Sequence, residues 1–154
     1  MANEPRFSAT ALIDAPAAQL YAIIADYHEG HPRILPKPPF VDLKVEEGGV
    51  GAGTVLRITM RLLGQTQSFR STVTEPEPGR VLLEANENGY NTSFIVEPQG
   101  EQQARVTIET VLGGRSGLAG KLEGWFVRRL LHSAYQRELA KLAEVAQAQV
   151  RILA

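Results

Sequence analysis

The sequence predicts an α+β fold in which a seven-stranded antiparallel sheet curls around one long C-terminal helix. Three observations carry this. Residues 116–151 contain no proline and keep an amphipathic helical repeat. Residues 40–112 break instead into short alternating segments separated by Gly, Pro and Asn turn signals. Those turns are short, so consecutive strands are antiparallel neighbours with one face buried.

The first strand is expected over 7–14, with Phe7, Ala9, Ala11 and Ile13 on one face. Asp14 suits an N-cap and Pro16 a first helical turn, which places a helix over 16–25 that buries Leu20, Ile23 and Ile24, with Tyr27 just beyond. Prolines from Pro32 to Pro39 leave room for one short helical turn. A second strand, 40–46, ends in a glycine-rich loop, and a third, 54–62, turns Leu56, Ile58, Met60 and Leu62 one way. In the fourth, 66–74, Phe69 and Val73 share a face. The fifth, 80–86, groups Val81, Leu83 and Ala85, and Asn88-Gly89 then marks a hairpin. The sixth, 90–97, aligns Tyr90, Thr92, Phe94 and Val96, and the seventh, 104–112, aligns Val106, Ile108 and Thr110. Gly113-Gly114 closes the sheet.

A chain of 154 residues suits a single domain over 1–154. The formal net charge of -1 argues against a broad nucleic-acid footprint. The chain has no cysteine, so no disulfide framework or thiolate site exists. Its N-terminus lacks signal-peptide character, and no apolar run approaches the roughly 20 residues that span a bilayer. A cytoplasmic protein without an integral membrane segment is expected.

Several groups of residues suggest chemistry. His28 and His31 lie three apart beside Asp26 and Glu29, but the prolines that follow disfavour a helix presenting both imidazoles together. Surface histidines on a solvated loop are the favoured reading, so neither a metal nor a cofactor is expected. The Gly48 to Gly53 loop does not fit GxGxxG and leads into a strand, so it offers an anion no helix N-terminus. Ser133 and His132 are adjacent on a helix and diverge by about 100°, and the sequence has no GxSxG elbow. Arg57, Arg61, Arg70 and Glu84 alternate with apolar residues and are expected on the outer face. No catalytic residue is assigned.

Stepping the C-terminal helix at about 100° per residue resolves two apolar stripes. Leu118, Leu122, Trp125, Phe126 and Leu130 share one face. Leu131, Tyr135, Leu139, Leu142, Ala146 and Val150 share a nearly opposite one. A straight helix cannot bury both against one sheet. A break near Leu130, an irregular first part closing over a cavity mouth, and a stripe packed on a partner subunit are the three resolutions.

The chain resembles the START-like helix-grip superfamily (SRPBCC), also called the polyketide cyclase/dehydrase and lipid transport group. The resemblance rests on Ile13-Asp14-Ala15-Pro16-Ala17 to Leu20-Tyr21, on Val50-Gly51-Ala52-Gly53-Thr54, and on Val73-Thr74-Glu75-Pro76 with Gly79-Arg80-Val81-Leu82. The order of elements agrees over essentially the whole chain. The resemblance implies a sheet gripping the C-terminal helix around an apolar cavity, and it leaves lipid carriers, receptors and aromatase/cyclases equally open.

On this reading the chain binds or transports a small hydrophobic ligand such as a lipid, quinone or polyketide-like compound. Leu35, Met60, Phe69, Leu83, Tyr90, Phe94, Trp125 and Phe126 are the expected apolar walls, with Tyr90, Arg129 and His132 as polar candidates. The alternatives are a cyclase/dehydrase-type enzyme, which needs an inward acid or base, and a dimerisation module using the first stripe of the helix.

Overall fold

A computed structural model describes the backbone of residues 6–112 and 118–153 and the side chains of residues 6–111 and 128–152. Seven strands, β1 (Arg6–Ile13), β2 (Phe40–Glu47), β3 (Val55–Leu62), β4 (Gln65–Glu77), β5 (Val81–Asn86), β6 (Tyr90–Pro98) and β7 (Ala104–Leu112), form one antiparallel sheet. Their spatial order is β1-β7-β6-β5-β4-β3-β2, a meander whose last strand returns to pair with the first. Two short helices, α1 (Ala17–Ala25) and α2 (Gly30–Ile34), connect β1 to β2, and α3 (Leu118–Leu153) follows the sheet. The fold class and strand order of the sequence reading stand as expected. The expected turn at Gly113-Gly114 lies outside the described residues.

The core forms where the inner face of the sheet meets α1, α2 and the second half of α3. Phe7, Ala9 and Ile13 of β1, Leu56, Ile58 and Met60 of β3, and Phe94 and Val96 of β6 are all buried, as period-2 alternation requires. On α3, Leu131, Tyr135, Leu139, Leu142 and Ala146 are buried together, joined by Ala134 and Glu138 on the same stripe. Val150, the expected last member, is instead 55% exposed. The helix is unbroken over 36 residues, about 54 Å at 1.5 Å per residue, so a break near Leu130, one of the three resolutions left open, does not occur. Leu130 itself is exposed, and the side chains of Leu118, Leu122, Trp125 and Phe126 lie outside the described residues.

Two local corrections shape the interior. Asp14 does not cap α1: Pro16 occupies the N-cap position, and the Asp14 carboxylate accepts a hydrogen bond from Gln103 at 2.7 Å. The segment around His31 is not a solvated loop. Gly30 lies so close to α1 that a Cβ there would stand 2.4 Å from the Ile23 carbonyl oxygen. This approach, open only to glycine, carries the next residue, His31, into the core at 1% exposure. His28 stays exposed, as expected.

The third correction concerns β5. A two-residue turn at Asn88-Gly89 pairs Glu87 with Tyr90 and so sets Leu83 across from Phe94. The loop is instead three residues long, with Gly89 at φ 88° and its amide donating to the Asn86 carbonyl. Leu82 therefore pairs with Phe94, and Glu84 pairs with Thr92. A one-residue shift moves every side chain of a strand to the other face. Leu82 and Glu84 point inward, buried to 0% and 6%, and Leu83 points out.

Candidate functional site

Between the inner sheet face, α2 and α3 lies a cavity of about 210 Å³. Its walls are apolar: Leu35 after α2, Phe40 and Leu43 of β2, Ile58, Met60 and Leu62 of β3, Phe69 of β4, Phe94 of β6 and Leu131 of α3. The exposed residues Leu63, Gln65, Gln67 and Asn88, from the β3–β4 and β5–β6 hairpins, line its outer part. Its deeply buried part is polar, built from His31, Glu84, Glu138, Thr92, Thr110 and Tyr135.

Each polar group is held by its neighbours. Tyr27, 1% exposed, donates its hydroxyl proton to Glu84 Oε1 at 2.7 Å. The Tyr27 ring stacks on His31 at 4.5 Å between centroids, and Phe94 meets His31 edge-on at 5.2 Å. His31 Nδ1 lies 2.7 Å from the Ile24 carbonyl oxygen. A carbonyl can only accept, so Nδ1 carries the proton, and in neutral His31 the Nε2 atom is a bare acceptor. Thr92 and Thr110 share a 2.8 Å hydrogen bond, and Thr110 is bonded in turn to the Tyr135 hydroxyl. Glu138 Oε1 is buried and has no hydrogen-bond partner.

His31 Nε2 stands 3.6 Å from Glu84 Oε1 and 3.8 Å from Glu138 Oε1. These are not ion pairs at neutral pH. Burial pushes the His31 imidazole down to about 4, with the bond to Ile24 opposing. Burial also pushes the Glu84 carboxyl up to about 7, with the Tyr27 hydroxyl opposing. Glu138 is raised well above the usual carboxylate range by burial and then by the charge of Glu84. Desolvation disfavours the charged form of each group, and among the described residues no lysine or arginine lines the cavity beside them.

Of the residues expected to line the cavity, Leu35, Met60, Phe69, Tyr90 and Phe94 do so. Leu83 does not, because the register of β5 turns it outward. Trp125 and Phe126 lie outside the residues whose side chains are described. Arg129 and His132 are not at the cavity: with Arg6, Phe7, Ser8 and Arg128 they line a separate, shallow depression between β1 and α3. His132 is exposed and its Nδ1 lies 2.9 Å from the Ser8 carbonyl oxygen. Both are off the buried stripe of α3 by helical phase, which explains their placement.

His31, Glu84 and Glu138 were missed as site residues, although two of them carried a readable signal. Glu138 falls in the middle of the Leu131–Tyr135–Leu142 stripe at 100° per residue. Glu84 faces inward once the inward Thr92 is projected across a three-residue hairpin. His31 carried no such signal, since its burial depends on the contact of Gly30 with α1. The glycine loop, set aside as a phosphate cradle, spends its amides internally: Gly51 donates to the Ala25 carbonyl at 2.9 Å and Gly53 to that of Val73 at 3.0 Å. Among the described residues there is no group of three or more potential metal ligands arranged to hold an ion. None of the described helices is long and apolar enough to cross a membrane.

Comparison with known proteins places this geometry. Residues 4–147 match the family described as polyketide cyclase / dehydrase and lipid transport. The solution structure of the KanY protein (ms6282) superposes with a TM-score of 0.82 at 26% identity, covering 95% of this chain and 99% of its own. A START superfamily protein from Mycobacterium smegmatis gives 0.69 at 16% identity, covering 94% of this chain and 98% of its own. The ZhuI aromatase/cyclase from Streptomyces sp. R1128 gives 0.69 at 17%, covering 96% of each chain. The last two likenesses are of fold alone. No curated protein matches in sequence.

Proposed function

The chain belongs to the polyketide cyclase/dehydrase and lipid transport family, and we propose that its cavity binds a small, largely apolar molecule whose polar end rests against Glu84, Glu138 and His31. One observation carries this reading: Glu138 Oε1, buried without a partner, borders an open space walled by aliphatic and aromatic side chains. A buried polar atom left unpaired costs about 1–3 kcal/mol. A ligand group that bonds to it recovers that cost while its apolar body gains contact with the walls. Lipids, quinones and polyketide-like compounds with one or two oxygens fit this description.

Calorimetric titration with a compact neutral alcohol such as cyclohexylmethanol tests it. Saturable binding is expected, and Met60→Trp, which fills the cavity from β3, is expected to abolish it with the far-UV circular dichroism unchanged. No saturable heat from this alcohol or from a broad lipid, quinone and polyketide-like panel removes the reading.

A second reading, a cyclase/dehydrase-type enzyme, is favoured by the same two carboxyls. Two acids in one dry site whose environments differ can divide the roles of base and acid. Glu84, bonded to Tyr27, would serve as base, and Glu138, raised by burial and by the charge of Glu84, as acid. Turnover of a poly-β-ketone substrate that disappears in both Glu84→Gln and Glu138→Gln, with substrate binding kept, is the outcome this reading requires.

A further inference from the structure

We infer that the ligand this cavity is built for carries a positively charged nitrogen: an apolar amine, bound as the ammonium ion at the Glu84–His31–Glu138 floor. The inference rests on the cavity being a ligand site and names the chemistry of what enters it.

Among the described residues the cavity is acidic without compensation. Two glutamates line it, and no lysine or arginine does among the described residues. The cations of this face of the sheet are elsewhere: Arg57 and Arg70 are on the outer side with Glu46, and Arg128 and Arg129 lie at the β1–α3 depression. The titratable groups that face the two carboxyls are Tyr27 from beyond α1, His31 from α2 and Tyr135 from α3. None of these is a cation at neutral pH.

The hydrogen-bonding character agrees with the charge. Tyr27 uses its only proton on Glu84, and His31 uses its Nδ1 proton on Ile24. With the two carboxyls ionised, what remains at the floor is a set of acceptors: Glu84 Oε1, His31 Nε2 and the unpartnered Glu138 Oε1, with 3.6 and 3.8 Å between the histidine and each glutamate. An ammonium group has three donors and no acceptor, so it matches three converging acceptors. A carboxylate ligand accepts at most the acid protons of the neutral glutamates and meets no lysine or arginine among the described residues, and an alcohol satisfies one of the three acceptors. The aromatic rings of Phe69, Phe94 and Tyr90 on the walls offer further attraction to a cation.

Cation binding also resolves the electrostatic anomaly of the free protein. Both glutamates are driven toward the neutral form, Glu84 by burial and Glu138 by burial and then by the charge of Glu84. An ammonium ion beside them restores the ionised form, so protons leave the site as the amine enters.

The test is a matched series on one skeleton: cyclohexylmethylamine, cyclohexylmethanol and cyclohexanecarboxylate, titrated calorimetrically into the wild-type protein at pH 7 in two buffers of different ionisation enthalpy. The amine is expected to bind at least about tenfold more tightly than the alcohol, with net release of protons to the buffer, and the carboxylate to bind weakest. Glu138→Gln is expected to weaken the amine at least about tenfold more than it weakens the alcohol, so that the preference for the amine is lost. Equal affinity for amine and alcohol, tightest binding of the carboxylate, or amine binding without proton release overturns the inference and leaves the cavity-binding reading in place. Binding of none of the three overturns both.

Discussion

Glu84 on β5 stands directly across from Thr92 on β6, and this one register position puts a carboxylate inside the protein. With Glu84 inward, Leu82 packs against Phe94 in the core and Leu83 is turned out. The opposite register buries Leu83 and gives the cavity no acid on this strand.

The two leucines test this directly. Leu82→Ala removes a side chain that is fully buried and is expected to cost about 2–5 kcal/mol. Leu83→Ala, on the half-exposed outer face, is expected to cost less than about 1 kcal/mol. Urea denaturation of both variants decides it, and a larger loss at Leu83 contradicts the register.

Glu84 makes stability depend on pH in a defined direction. Its carboxyl titrates at about 7 in the folded protein against an ordinary value of 4.5. Between those values the folded chain holds a proton that the unfolded chain has released. The contribution is therefore full below pH 4.5 and lost as the pH rises through about 7, which amounts to roughly 3 kcal/mol. His31 has the opposite sign: held at about 4 against 6.5, it supports the fold above pH 6.5 and ceases to as the pH falls through about 4. Comparing Glu84→Gln with the wild type cancels the histidine. The difference in unfolding free energy is expected to shift by roughly 3 kcal/mol in favour of the variant from pH 4.5 to above 7. A difference flat across that range is the contrary result.

Tyr27→Phe removes the hydroxyl that holds Glu84. That hydrogen bond lowers the Glu84 carboxyl, so its loss pushes the group higher still. The ionised carboxylate loses a charge-assisted donor, at a cost of about 1.5–3 kcal/mol, and the neutral acid loses less. Unfolding at pH 6 and at pH 8.5 is expected to show the larger penalty at the higher pH. Equal penalties at both values go against the assigned partnership.

His31→Ala opens a cavity between Tyr27 and Phe94 and leaves the Ile24 carbonyl unpaired. A loss of about 2–4 kcal/mol is expected, checked by chemical denaturation at pH 7. A change within about 0.5 kcal/mol, the range of ordinary surface substitutions, indicates that the ring is not packed as described.

Much of the fold was legible in the sequence because local periodicity reports it. Alternation in β3, β6 and β7 identified Met60, Phe94 and Ile108 as inward, and the phase of α3 identified Leu131 through Ala146 as its packed face. Arg129 and His132 lie away from the cavity, at the depression between β1 and α3. Their helical phase points elsewhere.

The sequence by itself determined the order of elements, the antiparallel meander, the apolar walls at Leu35, Met60, Phe69, Tyr90 and Phe94, and the family resemblance. These follow from side-chain period and turn chemistry, which act over a few residues. Only the tertiary structure decided that Glu84, His31 and Glu138 meet. Each comes from a different element, and each depends on a long-range relation: a hairpin one residue longer than its shortest form, a glycine pressed on a neighbouring backbone, and a helix laid across the sheet. The burial of these acids is a property of that assembly, because desolvation arises only when the surrounding elements have closed around the charge.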